Sequence, residues 1–146
     1  MRVLFLDDNE SRYKAFKQVL IGSKFTTVDW ASNAIQAIEM LRQNPRYDLV
    51  CFDHDLDEEH YRAYSSSETD YGDIQTGYDV AVFLVTELEE EKHPAYTMVH
   101  TFNPDGAKRI TSVLNEAGLQ KCIFVLPFNP DGIERILAHI EGDSGN

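Results

Sequence analysis

At 146 residues, with 42% hydrophobic and 26% charged content, the chain suits one ordinary globular domain with a sizeable core. Its net charge of −12, from 25 acidic against 13 basic residues, opposes non-specific binding to duplex DNA or anionic membranes and favours a cation. No run approaches the ~18 apolar residues of a membrane span, and the N-terminal residues lack the basic and apolar regions of a signal peptide. Cys51 and Cys122 both lie in apolar runs, so the expectation is two reduced thiols in a cytoplasmic protein.

Strand and helix patterns alternate along the chain. Arg2 to Leu6 is a short apolar strand, and Ser11 to Ile21 places Tyr13, Phe16, Val19 and Leu20 at helical spacing before Gly22. Phe25 to Trp30 reads as a strand. Ser32 or Asn33 caps a helix carrying Ile35, Ile38 and Leu41, and Asn44-Pro45 ends it. Tyr47 to Phe52 is the third strand. Thr76 or Gly77 opens a helix running to Glu90, with Asp79 three positions on from Thr76 as in a capping box. Tyr96 to Val99, a helix from Pro104 to about Ala117, a strand from Cys122 to Leu126 and a helix from Gly132 to Ile140 complete the series.

Five strands alternating with helices imply right-handed βαβ units and a doubly wound, three-layer α/β domain with a parallel sheet. The expected domain is 1–141, with an inserted loop at 57–75 and a flexible tail at 142–146. The insertion holds His60, Tyr61, Tyr64 and Tyr71 and is expected to act as a lid whose tyrosines could stack a base.

Function is written at the strand ends. The first strand runs into Asp7-Asp8, the third into Asp53-His54-Asp55 and the fourth into His100-Thr101. In open parallel sheets, ligands bind outside the carboxyl ends of the strands, so these groups should converge. Asp7, Asp8 and Asp53 offer the oxygens that a hard divalent cation requires. Asp55 is either a further metal ligand or the group that orients a histidine. His54 and His100 are candidate acid and base, and Thr101 and Asn103 candidate phosphate ligands. Turn chemistry accounts equally well for Asn103-Pro104-Asp105-Gly106, and is the better account of Asn129-Pro130-Asp131-Gly132. Lys108 and Arg109 are the nearest basic residues; they, like His60, His93 and His139, are expected at the surface.

With the strands placed, the chain resembles the receiver domain of two-component response regulators. Val-Leu-Phe-Leu-Asp-Asp (3–8) is similar to the receiver's first strand and acidic pair, and Tyr-Asp-Leu-Val-Cys-Phe-Asp (47–53) to the strand ending in the phospho-accepting aspartate. Thr101 matches the hydroxyl residue after strand four, and Pro127-Phe128 the Pro-Phe after strand five. The resemblance implies the flavodoxin-like sheet order 2-1-3-4-5 and cation binding by Asp7 or Asp8 with Asp53. The lysine that precedes the proline in receivers is Leu126 here. Asp-His-Asp-Leu (53–56), Thr-Gly-Tyr-Asp-Val (76–80) and His-Thr-Phe-Asn-Pro (100–104), together with Leu-Asp-Asp (6–8), resemble a divergent branch, the cyclic-phosphate processing receiver domain.

That resemblance implies a phosphoesterase that uses Mg²⁺ or Mn²⁺. Its substrate would be a small cyclic nucleotide or an RNA-end phosphate. Asp53, His54 and His100 would be its catalytic residues. Two alternatives stand beside it: a receiver phosphorylated on Asp53, and a non-catalytic receiver-like interaction module. A homodimer is compatible with each.

Overall fold

The computed structural model describes residues 1–56, 76–119 and 123–144; the expected lid at 57–75, with its tyrosines and His60, and Cys122 lie outside them. Strands β1 (Arg2–Leu6), β2 (Thr27–Ala31), β3 (Leu49–Phe52), β4 (Tyr96–Val99) and β5 (Ile123–Val125) pair in parallel in the order β2-β1-β3-β4-β5. Helices α1 (Glu10–Leu20), α2 (Ala34–Gln43), α3 (Gly77–Thr86), α4 (Pro104–Glu116) and α5 (Pro130–Ser144) connect and flank them. Among the described residues, no helix is long and apolar enough to cross a membrane.

The central strands are apolar throughout because both faces are covered. Side chains alternate between the two faces at period two. Leu4, Leu6, Val50, Phe52 and Val99 face α2, α3 and α4, joining Ile38, Leu41, Val80, Leu84 and Ile110. Val3, Phe5, Leu49, Cys51 and Met98 face α1 and α5, joining Phe16, Leu20, Ile133 and Leu137. Leu6, Phe52 and Val99 lie side by side in the register.

That register places the site. One residue further on, Asp7, Asp53 and His100 should form the next row and turn to the face of Phe5 and Cys51. Pairing does continue one step: Asp53 N–H donates to Leu6 O at 3.0 Å, His100 N–H to Phe52 O at 2.9 Å, and Leu126 N–H to Val99 O at 3.0 Å. Leu126 is thus the β5 member of the same row.

Three asparagines start the helices beyond these ends. Asn9, Asn33 and Asn103 accept the backbone N–H of Arg12, Gln36 and Gly106 at 2.9, 2.9 and 3.0 Å. At α3 the expected capping box forms, with Thr76 N–H donating to Asp79 Oδ2 at 3.0 Å.

The largest boundary differences from the sequence expectation are at two helix ends. Helix α3 ends at Thr86 rather than Glu90, because the N–H groups of Glu87 and Leu88 both turn to Phe83 O, at 2.8 and 3.1 Å, and Leu88 folds into the core. A single 3₁₀ turn, Glu90–Lys92, follows. Helix α5 continues to Ser144, past the point where a flexible tail was expected. Its last turns are tethered: Lys24 N–H donates to Glu141 Oε1 and Tyr96 OH to Asp143 Oδ2, both at 2.6 Å.

Gly77 shows how tightly α3 abuts the end of β3. Its N–H donates to His54 O at 3.1 Å, and a Cβ there would stand 1.8 Å from Asp53 O. Gly77→Ala should therefore cost about 1–3 kcal/mol in urea denaturation, since backbone must retreat. Gly142→Ala, in open space on α5, should gain up to about 1 kcal/mol. Equal stability for the two variants would mean that the α3–β3 contact is slack.

Candidate functional site

The row of strand ends brings Asp7, Asp8 and Asp53 together, with one oxygen from each lying within 4.8 Å of the others. Asp7 and Asp53 are buried, and Asp8 is half-buried. Like charges this close in a dry pocket need compensation. It comes from Arg12 in the first turn of α1. Its Nε and Nη2 donate to Asp7 Oδ2 and Oδ1 at 2.8 and 2.9 Å, and Nη2 lies 3.6 Å from Asp8 Oδ1 and 3.5 Å from Asp53 Oδ2.

His100 is the second partner of Asp7, with Nε2 3.0 Å from Oδ2, and its ring is fully buried. Phe5 stacks on the ring at 4.7 Å, and Phe128 meets it edge-on at 6.0 Å. Burial lowers the pKa of His100 against the pull of Asp7. Burial would raise that of Asp7, but the bonds from His100 and Arg12 outweigh it and hold Asp7 below the usual value. The pair is therefore a neutral imidazole donating Nε2–H to a carboxylate, with Nδ1 bare and unpartnered among the described residues. Trp30 Nε1 donates to Asp7 O at 2.7 Å, fixing the backbone beneath.

Asp53 is the opposite case. Burial first, then the charges of Asp7 and Asp8, push its pKa up to about 7, and neither Arg12 nor a hydrogen bond from Thr101 offsets them. This carboxyl is short of positive charge.

His54 sits on the other side of Asp53. Its N–H donates to Asp53 Oδ1 at 2.9 Å, and its ring packs against Gly106, where a Cβ would stand 2.4 Å from Cγ. Nδ1 lies 2.9 Å from Asp55 Oδ1, which also accepts Asn103 Nδ2 at 3.3 Å. Nε2 is buried and unpartnered among the described residues. Of the four carboxylates proposed from sequence as metal ligands, three come together. Asp55 instead faces His54, with its side chain 66% exposed. Thr101 bonds Asp53, and Asn103 caps α4 while holding Asp55. Of the remaining candidates, Arg109 stacks on Tyr78 at 4.6 Å, Lys108 lines the groove between α4 and β5, His93 meets Leu88 O at 3.1 Å and His139 meets Phe124 at 5.8 Å.

Residues 2–116 match the family model of the cyclic-phosphate processing receiver domain. The chain belongs to that family. No curated protein matches it significantly. Among solved structures, it is similar to the response regulatory domain of protein mrkE from Klebsiella pneumoniae, at 15% identity and TM-score 0.67, over 98% of this chain and 97% of that one. The signal receiver domain of an HD domain-containing protein from Pseudomonas fluorescens Pf-5 gives 18% identity and TM-score 0.64, over 99% and 96%. A Burkholderia pseudomallei response regulator, solved with a phosphorylated aspartic acid, a calcium ion and citrate, gives 15% and 0.62, over 98% and 72%. At such identities these likenesses establish the receiver fold.

In this cyclic-phosphate processing receiver the acidic strand ends take positive charge from α1. Leu126 packs with the apolar cluster around Phe5 and Phe128. Arg12, from α1, was not singled out in the sequence. Its signal was there: a base in a helix's first turn opposes the macrodipole, so it needs a partner outside the helix, and Asp7 and Asp8 lie five and four residues behind it.

The shifts fix a pH dependence for the metal-free protein. Asp53 titrates about 7 when folded and near 3.8 when unfolded, so its ionisation weakens folding above pH 7 and the penalty fades as pH falls toward 4. Asp7, held low, contributes the reverse: stability present at neutral pH and lost only below the ordinary carboxylate range. With EDTA present, Asp53→Asn should be about 2–4 kcal/mol more stable than wild type at pH 8 and no more stable at pH 4. A variant no more stable at pH 8 would contradict the charge deficit.

Proposed function

We propose that this receiver is a metal-dependent phosphoesterase that opens a cyclic phosphate on a nucleotide or an RNA end. The observation that carries this reading is the convergence of three carboxylates, a guanidinium and an Asp55-oriented His54 at one end of the sheet. An all-oxygen donor set with a carboxyl raised to about 7 suits Mg²⁺ or Mn²⁺, held by Asp7, Asp8 and Asp53. Such an ion, when bound, stabilises charge on the phosphoryl oxygens and lowers the pKa of bound water.

The chain's own residues supply the rest. With Asp55 on Nδ1 of His54, Nε2 is the ring nitrogen left to exchange a proton with the attacking water or the leaving oxygen, once substrate entry uncovers it from its buried position. Asn103 holds Asp55 in place for this. Thr101 keeps Asp53 in its rotamer through its hydroxyl. His100, its ring enclosed and, among the described residues, hydrogen-bonded through Nε2 to Asp7, is a positioning residue: it fixes the carboxylate from behind. That departs from the direct acid–base role suggested by its place in the sequence. A groove of about 670 Å³ between α4 and β5 shares Thr101 and Phe102 with this end of the sheet, and its size suits a nucleoside.

One observation favours a second reading. Thr101 bonding Asp53 is also what a phospho-accepting aspartate with a neighbouring hydroxyl would need, and the similar Burkholderia pseudomallei protein carries a phosphorylated aspartic acid. ³¹P NMR separates the two. With Mg²⁺ or Mn²⁺, wild type should open 2′,3′- or 3′,5′-cyclic nucleotides, and His54→Ala should lose roughly 10²-fold or more in kcat. No ring opening, with an acyl phosphate on Asp53 after acetyl phosphate treatment, would replace the esterase reading with the receiver one.

A further inference from the structure

The hydrogen bonds around Asp7 leave it no room for another partner. Oδ1 accepts Asn9 N–H at 2.8 Å and Arg12 Nη2 at 2.9 Å, while Oδ2 accepts Arg12 Nε at 2.8 Å and His100 Nε2 at 3.0 Å. A carboxylate offers about four acceptor sites, and all are filled. A divalent cation taking Asp7 as a ligand must remove one of these donors.

Two of them are fixed. The N–H of Asn9 belongs to the backbone that starts α1, and the His100 ring is enclosed by Phe5 and Phe128. The other two belong to a single long side chain, 27% exposed. The same Nη2 stands within 3.6 Å of Asp8 and Asp53, so guanidinium and metal would compete for all three carboxylates. The guanidinium also borders solvent: its Cζ lies 5.8 Å from the ring of Phe102, which is 63% exposed.

We infer that Arg12 is an exchangeable internal cation: a divalent ion entering the acidic pocket displaces its guanidinium, which then takes a phosphoryl oxygen at the mouth of the site. This rests on the metal half of the proposed function and not on turnover. The planar guanidinium fork pairs with a phosphoryl group as well as with a carboxylate, so the displaced side chain exchanges one bidentate partner for another. Arg12 contacts all three carboxylates at once. Metal and phosphate should consequently bind with positive coupling through this residue, each favouring the other by the same factor.

The test uses the whole chain and two simple probes, Mn²⁺ and inorganic phosphate. Mn²⁺ affinity would be followed by EPR or calorimetry in wild type and Arg12→Gln. Without phosphate, Arg12→Gln should bind Mn²⁺ roughly tenfold more tightly, because the competing cation is gone. Phosphate should tighten Mn²⁺ binding to wild type by roughly fivefold or more and leave the variant unchanged. Should Arg12→Gln fail to fold, the Arg12 Nε–H resonance of wild type reports the same event, shifting and losing exchange protection as Mg²⁺ is added. Equal or weaker Mn²⁺ binding by Arg12→Gln, or an Nε–H signal indifferent to saturating Mg²⁺, overturns the exchange. Absence of Mn²⁺ binding in both proteins overturns the metal reading itself, which is a different result.

Discussion

Three carboxylates held within 4.8 Å at the end of a parallel sheet cannot all stay ionised in a dry pocket without a counter-charge, and much of this molecule is arranged around that fact. Register puts Asp7 and Asp53 there, because β1 and β3 end level with each other. Arg12 answers part of the charge and His100 anchors one carboxylate from inside, leaving Asp53 as the group that remains under-compensated. The under-compensation is what makes the pocket receptive to a cation. A fully neutralised cluster would be a structural ion-pair network and no more.

The surroundings keep this arrangement rigid where it must be and open where it can be. Gly77 and Gly106 let α3 and α4 approach Asp53 and His54 at distances no Cβ would allow. Tyr13 stacks on Trp30 at 4.6 Å, and Trp30 in turn holds the backbone of Asp7. Phe5 and Phe128 enclose His100. Against that frame, Arg12 and Asp55 are the partly exposed charged groups that contact its buried ones, Arg12 through Asp7 and Asp55 through His54.

The fold was legible in the sequence because runs such as Leu49 to Phe52 are short and apolar at every position, as strands covered on both faces are, and because turn and cap residues punctuate them. The carboxylates and His54 were legible for the same reason: they follow such runs directly. What remained hidden depended on three dimensions. The pairing of His100 with Asp7 joins positions 93 residues apart, and nothing in either segment specifies it. Asp55 could point to the metal or to a histidine, a choice made by Asn103 and His54 closing around it. Arg12 lay in plain view as a base at a helix start, but among surface charges its partner could not be chosen until α1 was docked. The extension of α5 to Ser144 depended on Lys24 and Tyr96, again distant in sequence.

Positive charge reaches the crevice from Arg12 on α1, while Leu126, the β5 member of the row of strand ends, is apolar. The central claim is that the acidic strand ends hold a cation and a cyclic phosphate side by side. It is tested most directly by a crystal structure with Mn²⁺ and a cyclic phosphorothioate nucleotide, using anomalous scattering from the metal. The expected result is one Mn²⁺ peak bounded by Asp7, Asp8 and Asp53, with the thiophosphate beside it and within reach of Arg12 and His54. A Mn²⁺ peak elsewhere, or a guanidinium still seated among the three carboxylates with nucleotide bound at a distant surface, would contradict it.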